Sequence, residues 1–352
     1  MISLLLSFLS LNLAMETKRW IKITFPFLFI FGIYFVGPSP DRPEFNSSIP
    51  QLPDGAEELE EYIHQNELRH SVKPGNEARI IWHDSTRKKT EYSVIYLHGF
   101  SASQKEGDPV HIRFAQTFGC NLFLPRLSDH GVDTSEALLL FTADRFWNSA
   151  KETLAVAKKL GEKVIIISTS SGGTLALMLA AKYPDQVHAL INLSPNIAIN
   201  DPAAFLLNDP WGLQIARMVM SGKYRVTDAT QEESRFWNKR YRLESLVQLQ
   251  ELIEVSMTDN TFKQVSQPSL TLYYYKNEEE QDPEVKVSAM LEMHQKINTP
   301  DSLKVIKPIP NAGAHVLGSA MTSKDVAGVY AEMEKFAILK LKISKSSNLA
   351  YQ

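Results

Sequence analysis

Lys163-Val164-Ile165-Ile166-Ile167 runs directly into Ser168-Thr169-Ser170-Ser171-Gly172-Gly173, and an Ala/Leu-rich stretch follows. A β-branched apolar run that passes through small residues into helical sequence reads as a strand, a very tight turn and a helix. Small residues two before and two after a serine are what such a turn demands, because its backbone leaves no room for side chains beside the exposed hydroxyl. Ser170 is therefore the candidate nucleophile. The amide of Ser171, at the helix N-terminus, is a candidate donor to a developing oxyanion. A phosphate-binding loop would carry lysine at the end of the glycine turn, where Thr174 stands instead.

A second strand pattern, Ser93-Val94-Ile95-Tyr96-Leu97, ends in His98-Gly99-Phe100-Ser101. Gly99 lets the backbone turn past the reaction centre, which makes the Phe100 amide the second candidate oxyanion donor. His98 reads as a brace for that loop rather than a proton carrier.

A serine hydroxyl is a poor nucleophile until a base takes its proton. Nine histidines compete for that role. His315 lies in Asn311-Ala312-Gly313-Ala314-His315, a loop of small residues after the last expected strand, and is the candidate base. His294 falls in an amphipathic helix and reads as a surface or packing residue, and His130, in the loop Ser128-Asp129-His130-Gly131, reads as structural. His64, His70, His83, His111 and His188 have no motif around them. The carboxylate that orients the imidazole is expected after Thr271-Leu272-Tyr273-Tyr274-Tyr275, where Glu278, Glu279, Glu280 and Asp282 compete. Asp282 is preferred for its distance to the helix that follows; Glu279 is the alternative if the loop is shorter.

The elements that must position these groups alternate. Short β-branched runs at 78–83, 92–97, 121–124, 163–168, 189–193, 269–275 and 303–309 are separated by longer amphipathic stretches, the pattern of a mainly parallel sheet flanked by helices. Helices are expected at 143–160, 173–182, 285–297 and 323–341. From 195 to about 267 the alternation stops: no strand is expected there, several helices are, including 244–256, and the insertion reads as a lid. Its apolar residues Phe205, Leu206, Leu207, Trp211, Leu213, Ile215, Met218 and Met220 would suit the roof of an acyl-chain pocket, or the packing of the cap onto the core.

The chain order Ser170, Asp282, His315 resembles that of the α/β-hydrolase superfamily. Leu97-His98-Gly99-Phe100, Leu124-Pro125-Arg126-Leu127-Ser128-Asp129-His130-Gly131, Phe146-Trp147 and the Ser170 turn are similar to its monoacylglycerol-lipase and carboxylesterase branch, over roughly residues 60–342. Ser168 stands where that pattern has the first glycine of the turn, and Asp129 where it has the glycine before His130. The resemblance implies an α/β-hydrolase fold with a helical cap at about 196–267, and a serine hydrolase cleaving carboxylic esters, lipid or monoacylglycerol esters among them. Thioesterase, amidase or C–C hydrolase activity would use the same triad. A non-catalytic, membrane-anchored member of the fold is the further alternative.

Composition bounds the rest. Of 352 residues, 44% are hydrophobic and 22% charged, an ordinary globular balance. Lys plus Arg is 37 against 40 for Asp plus Glu, a net charge of −3 with no dense basic stripe, which argues against nucleic acid as a partner. Cys120 is the single cysteine, so neither an internal disulfide nor a multi-thiolate metal site can form. No helix pairs histidines four apart, and no metal or other cofactor is implied.

The N-terminus carries Lys18, Arg19 and Lys22 before an uncharged run at 23–37 rich in Phe, Ile and Leu, the layout of an export signal. Val36-Gly37-Pro38-Ser39-Pro40 offers no small-x-small cleavage site. Residues 1–37 are therefore expected as a retained signal-anchor starting at Met1 or Met15, with the catalytic domain extracytoplasmic, periplasmic or at the cell surface, or secreted if the segment is cut. Residues 38–56 are expected as a Pro-rich linker holding the folded part clear of the bilayer, 57–342 as the hydrolase domain, and 343–352 as a polar tail.

Overall fold

The computed structural model describes residues 32–346. Nine strands occur among them: β1 (Arg79–Ile81), β2 (Thr90–Leu97), β3 (Asn121–Leu124), β4 (Gly161–Thr169), β5 (Ala189–Leu193), β6 (Tyr224–Val226), β7 (Arg240–Arg242), β8 (Ser269–Tyr273) and β9 (Lys304–Pro308). Seven build one sheet in the order β1-β3-β2-β4-β5-β8-β9. Every neighbouring pair in it is parallel except β1 with β3.

Alternation along the central strands sorts the core into two layers. In β4, Val164 and Ile166 join Trp147, Leu154, Leu175 and Leu252 on one face. Ile165 and Ile167 join Phe114, Phe118, Val329 and Met333 on the other. All four β4 residues are buried, as a parallel strand covered on both sides requires. The covering helix Ala143–Leu160 starts where the Thr142 hydroxyl accepts from the Arg145 amide at 3.2 Å. Its buried stripe is Phe146, Ala150, Leu154 and Ala157, spaced by three and four.

Three expectations are corrected. The insertion between β5 and β8 is not wholly helical: beside the helices Gly212–Val219, Glu233–Phe236, Leu243–Ser256 and Asp259–Gln264 it contains the antiparallel pair β6–β7. These strands have three residues each and mostly polar side chains, so no apolar run announces them. They are held in part by side chains, with the Arg240 guanidinium 3.3 Å from the Tyr224 ring centroid.

Residues 38–56 do not stand clear of the domain. The Phe45 amide donates to Asp144 Oδ1 (2.8 Å), and the carbonyls of Asn46, Ser47 and Ser48 accept from Trp147 Nε1, Tyr183 Oη and Lys151 Nζ, each at 2.8 Å. Leu52 enters the core. A segment without regular structure leaves its carbonyls free, and helix side chains take them. The polar tail likewise begins in contact, with Ile343 buried in the second core layer.

The signal-anchor expectation falls mainly on residues 1–31, which lie outside the described residues, as do 347–352. Among the described residues no helix is long and apolar enough to cross a membrane.

Candidate active site

β4 ends at Thr169 and the helix Ser171–Lys182 begins one residue after Ser170, which is forced to φ 54, ψ −123. That is strained ground for a residue with a Cβ. Two carbonyl contacts hold it there: the Gly173 and Asn196 amides both donate to Ser170 O at 2.8 Å. Behind the serine the helix lies against the end of β2. A Cβ on Gly172 would sit 2.0 Å from the Leu97 carbonyl oxygen, a backbone atom with nowhere to go. Gly172→Ala is therefore expected to cost about 1–3 kcal/mol or more in urea denaturation. Gly222→Ala, whose nearest neighbour would be 3.9 Å away, should leave the midpoint nearly unmoved.

The two departures from the hydrolase pattern are accommodated. Ser168 is buried and donates to Asn192 Oδ1 on β5 at 2.8 Å, so the missing glycine costs no unpaired hydroxyl. Asp129 occupies φ 65, which asparagine and aspartate tolerate better than other side chains. Its carboxylate takes both Nε and Nη2 of Arg145, at 2.8 and 2.7 Å.

The loop after β2 packs directly on Ser170. A Cβ on Gly99 would lie 3.0 Å from Ser170 Cβ. His98 Nδ1 donates to Gly99 O at 3.0 Å and Nε2 accepts from the Leu127 amide at 3.1 Å. Burial, together with nearby His130, keeps this ring well below the ordinary imidazole pKa. The neutral ring is thus spent as a brace, as its position suggested. The Phe100 ring is pinned edge-on between Phe141 and Tyr241, both with centroids 5.3 Å away. Among the described residues, neither the Phe100 nor the Ser171 amide N–H has a hydrogen-bond partner.

Asp282 and His315, the expected acid and base, lie in contact. After β8, the chain folds a tight turn in which the Lys276 amide donates to Glu280 O, and the Asp282 amide reaches back to Tyr274 O. This leaves Glu278, Glu279 and Glu280 exposed and carries Asp282 into the interior. Asp282 Oδ1 accepts from the Glu284 and Val285 amides at 3.0 and 3.1 Å, and Oδ2 lies 2.8 Å from His315 Nδ1. Glu279, the alternative, has no such contact. With Nδ1 turned to Asp282, Nε2 is the imidazole nitrogen left for the cleft that His315 lines together with Ser170. Ser170 and His315 are not themselves hydrogen-bonded, a looseness common in sites without substrate.

The charges are coupled. Burial opposes the Asp282 carboxylate, but the charge and hydrogen bond of His315 and the two amides outweigh it, lowering its pKa. Burial likewise opposes the His315 cation, yet Asp282, with Glu284 and Glu106 behind it, raises the imidazole above 6.5. With His315 as the expected base, which would work only when neutral, hydrolysis should fall as pH drops through a value above 6.5. A kcat/KM profile for p-nitrophenyl butyrate checks this; an acidic limb at or below 6.5 contradicts it.

The cleft has a volume of about 450 Å³, and its apolar wall is Phe100, Ile199, Trp237, Tyr241, Leu246, Leu249, Val285 and Val316. Phe205, Ile215, Met218 and Met220 are not among its lining and are exposed on the cap, so the expected roof is corrected to Trp237, Tyr241, Leu246 and Leu249. Glu106, which no sequence motif singles out, also lines it. No group of residues able to hold a metal ion occurs among the described residues.

The alpha/beta hydrolase fold family matches residues 92–282. No curated protein matches the chain. Among solved structures, one described with LipS and LipT, two metagenome-derived lipolytic enzymes, is similar at TM-score 0.58 and 16% identity, over 75% of this chain and 98% of that one. The monoacylglycerol lipase of Paleococcus ferrophilus gives 0.55 and 11%, over 74% and 97%. A soluble variant of monoglyceride lipase from Saccharomyces cerevisiae, in complex with a substrate analog, gives 0.55 and 13%, over 85% and 97%. At these identities the likeness is one of fold.

Proposed function

Because the chain belongs to the alpha/beta hydrolase fold family, we propose that it is a serine hydrolase that cleaves carboxylic esters through an acyl-enzyme on Ser170. The observation that carries this reading is the Asp282–His315 pair, with Oδ2 2.8 Å from Nδ1, whose imidazole lines one cleft with a serine on a strained strand-to-helix turn. The lipase and esterase activities named for the structural neighbours support it.

In the proposed cycle His315 Nε2 takes the Ser170 hydroxyl proton as Oγ attacks the ester carbonyl carbon. The Phe100 and Ser171 amides hold the oxyanion. His315 then gives its proton to the leaving alkoxide, and the acyl group remains on Oγ. Water, deprotonated by the same imidazole, attacks the acyl-enzyme, and collapse releases the acid and returns the proton to Ser170. Asp282 keeps Nδ1 protonated and stabilises the imidazolium formed in each half.

The test is hydrolysis by the purified protein of a panel of p-nitrophenyl esters of increasing chain length, beside matched thioesters and amides. Ester cleavage as the fastest reaction supports the reading. Turnover of thioesters or amides alone assigns the same triad to another acyl transfer, and no turnover of any contradicts it.

A further inference from the structure

Glu106 lies in the short helical turn Gln104–Gly107 and is only 2% exposed, yet among the described residues it pairs with no lysine or arginine. The neighbouring Lys105 is engaged with Asp108 instead. Burying a carboxyl without a cation is costly. Its Oε2 is spent on the active-site loop, accepting from the Gly99 amide at 2.6 Å and the Tyr96 hydroxyl at 3.1 Å. Its side chain borders the catalytic cleft beside the Trp237 indole, the remaining donor that reaches the carboxyl, and the point where a Gly99 Cβ would lie is 2.9 Å from Oε1 and 3.0 Å from Ser170 Cβ. The carboxyl and the nucleophile therefore flank the same spot. Burial pushes Glu106 up to about 7, against the Gly99 amide, His315, Tyr96 and Trp237. In either protonation state the carboxyl keeps lone pairs that can accept.

The rest of the cleft leans the same way. Asn196 Oδ1 is buried and unpartnered in a residue of its wall, and the charged side chains lining it beside Glu106 are Asp228, Glu284 and Lys239. Asp228 and Glu284 are exposed at the rim, so Glu106 and the orphan Asn196 carbonyl are its buried acceptors. A cleft built for a plain alkyl chain has no use for buried acceptors. We infer that Glu106 forms a recognition subsite for a hydrogen-bond donor on the substrate, so that the preferred esters carry a hydroxyl close to the scissile bond. This rests on the ester-hydrolase reading.

The two possible locations of that donor are separate arms of one experiment. In the acyl arm, methyl 3-hydroxybutyrate is compared with methyl butyrate; in the alcohol arm, 4-hydroxybutyl butyrate with butyl butyrate, each followed by proton release. Wild type should favour the hydroxylated ester by about 10-fold or more in kcat/KM in one arm, the scale of a hydrogen bond to a charged or buried group. The nearly isosteric Glu106→Gln variant decides the cause. Its carbonyl oxygen must serve the Gly99 amide, so its NH2 faces the cleft as a donor, and the preference should shrink to within about 3-fold. A thermal melt shows whether the variant is folded; should it not be, the wild-type ratios alone stand as the test. Equal rates for both members in both arms, or a preference kept by a folded Glu106→Gln, overturns the subsite and leaves ester hydrolysis standing. No hydrolysis of any of the four esters by wild type overturns both.

Discussion

Ser170→Ala should lower kcat for p-nitrophenyl butyrate by about 10⁶-fold, the scale seen when a triad serine is removed. The variant loses the atom that attacks and nothing that folds the turn. Ser170 is held through its backbone, by Gly173 and Asn196 amides on its carbonyl and by its own amide on Leu193 O, and alanine keeps the Cβ that packs beside Gly99. Its melting temperature should therefore match wild type within a degree or two. An alanine variant that turns over ester at the wild-type rate removes the nucleophile from the account.

Asp282→Asn is the second large effect, about 10⁴-fold in kcat. The substitution keeps an oxygen to accept from the Glu284 and Val285 amides, so the loop stays in place. The amide NH2 then points at His315 Nδ1 as a donor. The imidazole proton is forced onto Nε2, where it blocks the nitrogen that must accept from Ser170. Loss of the carboxylate charge also removes the main force raising the imidazole pKa, so the acidic limb of the residual activity should move down in pH. Glu279→Gln, on an exposed residue of the same loop, should change neither rate nor limb. Equal losses in the two variants contradict the assignment of the acid.

The parts of this molecule that were legible beforehand are those where one physical demand selects the residues. Val164 to Ile167 must be apolar because helices cover both faces of β4. Gly172 must lack a side chain because the Leu97 carbonyl is in the way. His315 stood out because it follows small residues at a strand end. The acid was narrower but not settled: Glu278, Glu279, Glu280 and Asp282 have the same chemistry on paper, and only the Lys276–Glu280 turn decides which is buried. The β6–β7 pair escaped because cross-strand arginine and tyrosine contacts replace an apolar pattern. Glu106 escaped because its neighbours Gln104, Lys105 and Asp108 look like a solvated turn, and its burial follows from the approach of distant elements, among them Trp237 from the cap.

The most direct measurement is the site of covalent modification. The protein is treated with a fluorophosphonate, which reacts with activated serines, and the adduct is located by mass spectrometry of the digested chain. One adduct per molecule on Ser170, absent from a folded Ser170→Ala variant and slowed in Asp282→Asn, is the expected result. A folded wild-type protein that takes no label, or takes it on another residue, contradicts the claim that Ser170 is the activated nucleophile.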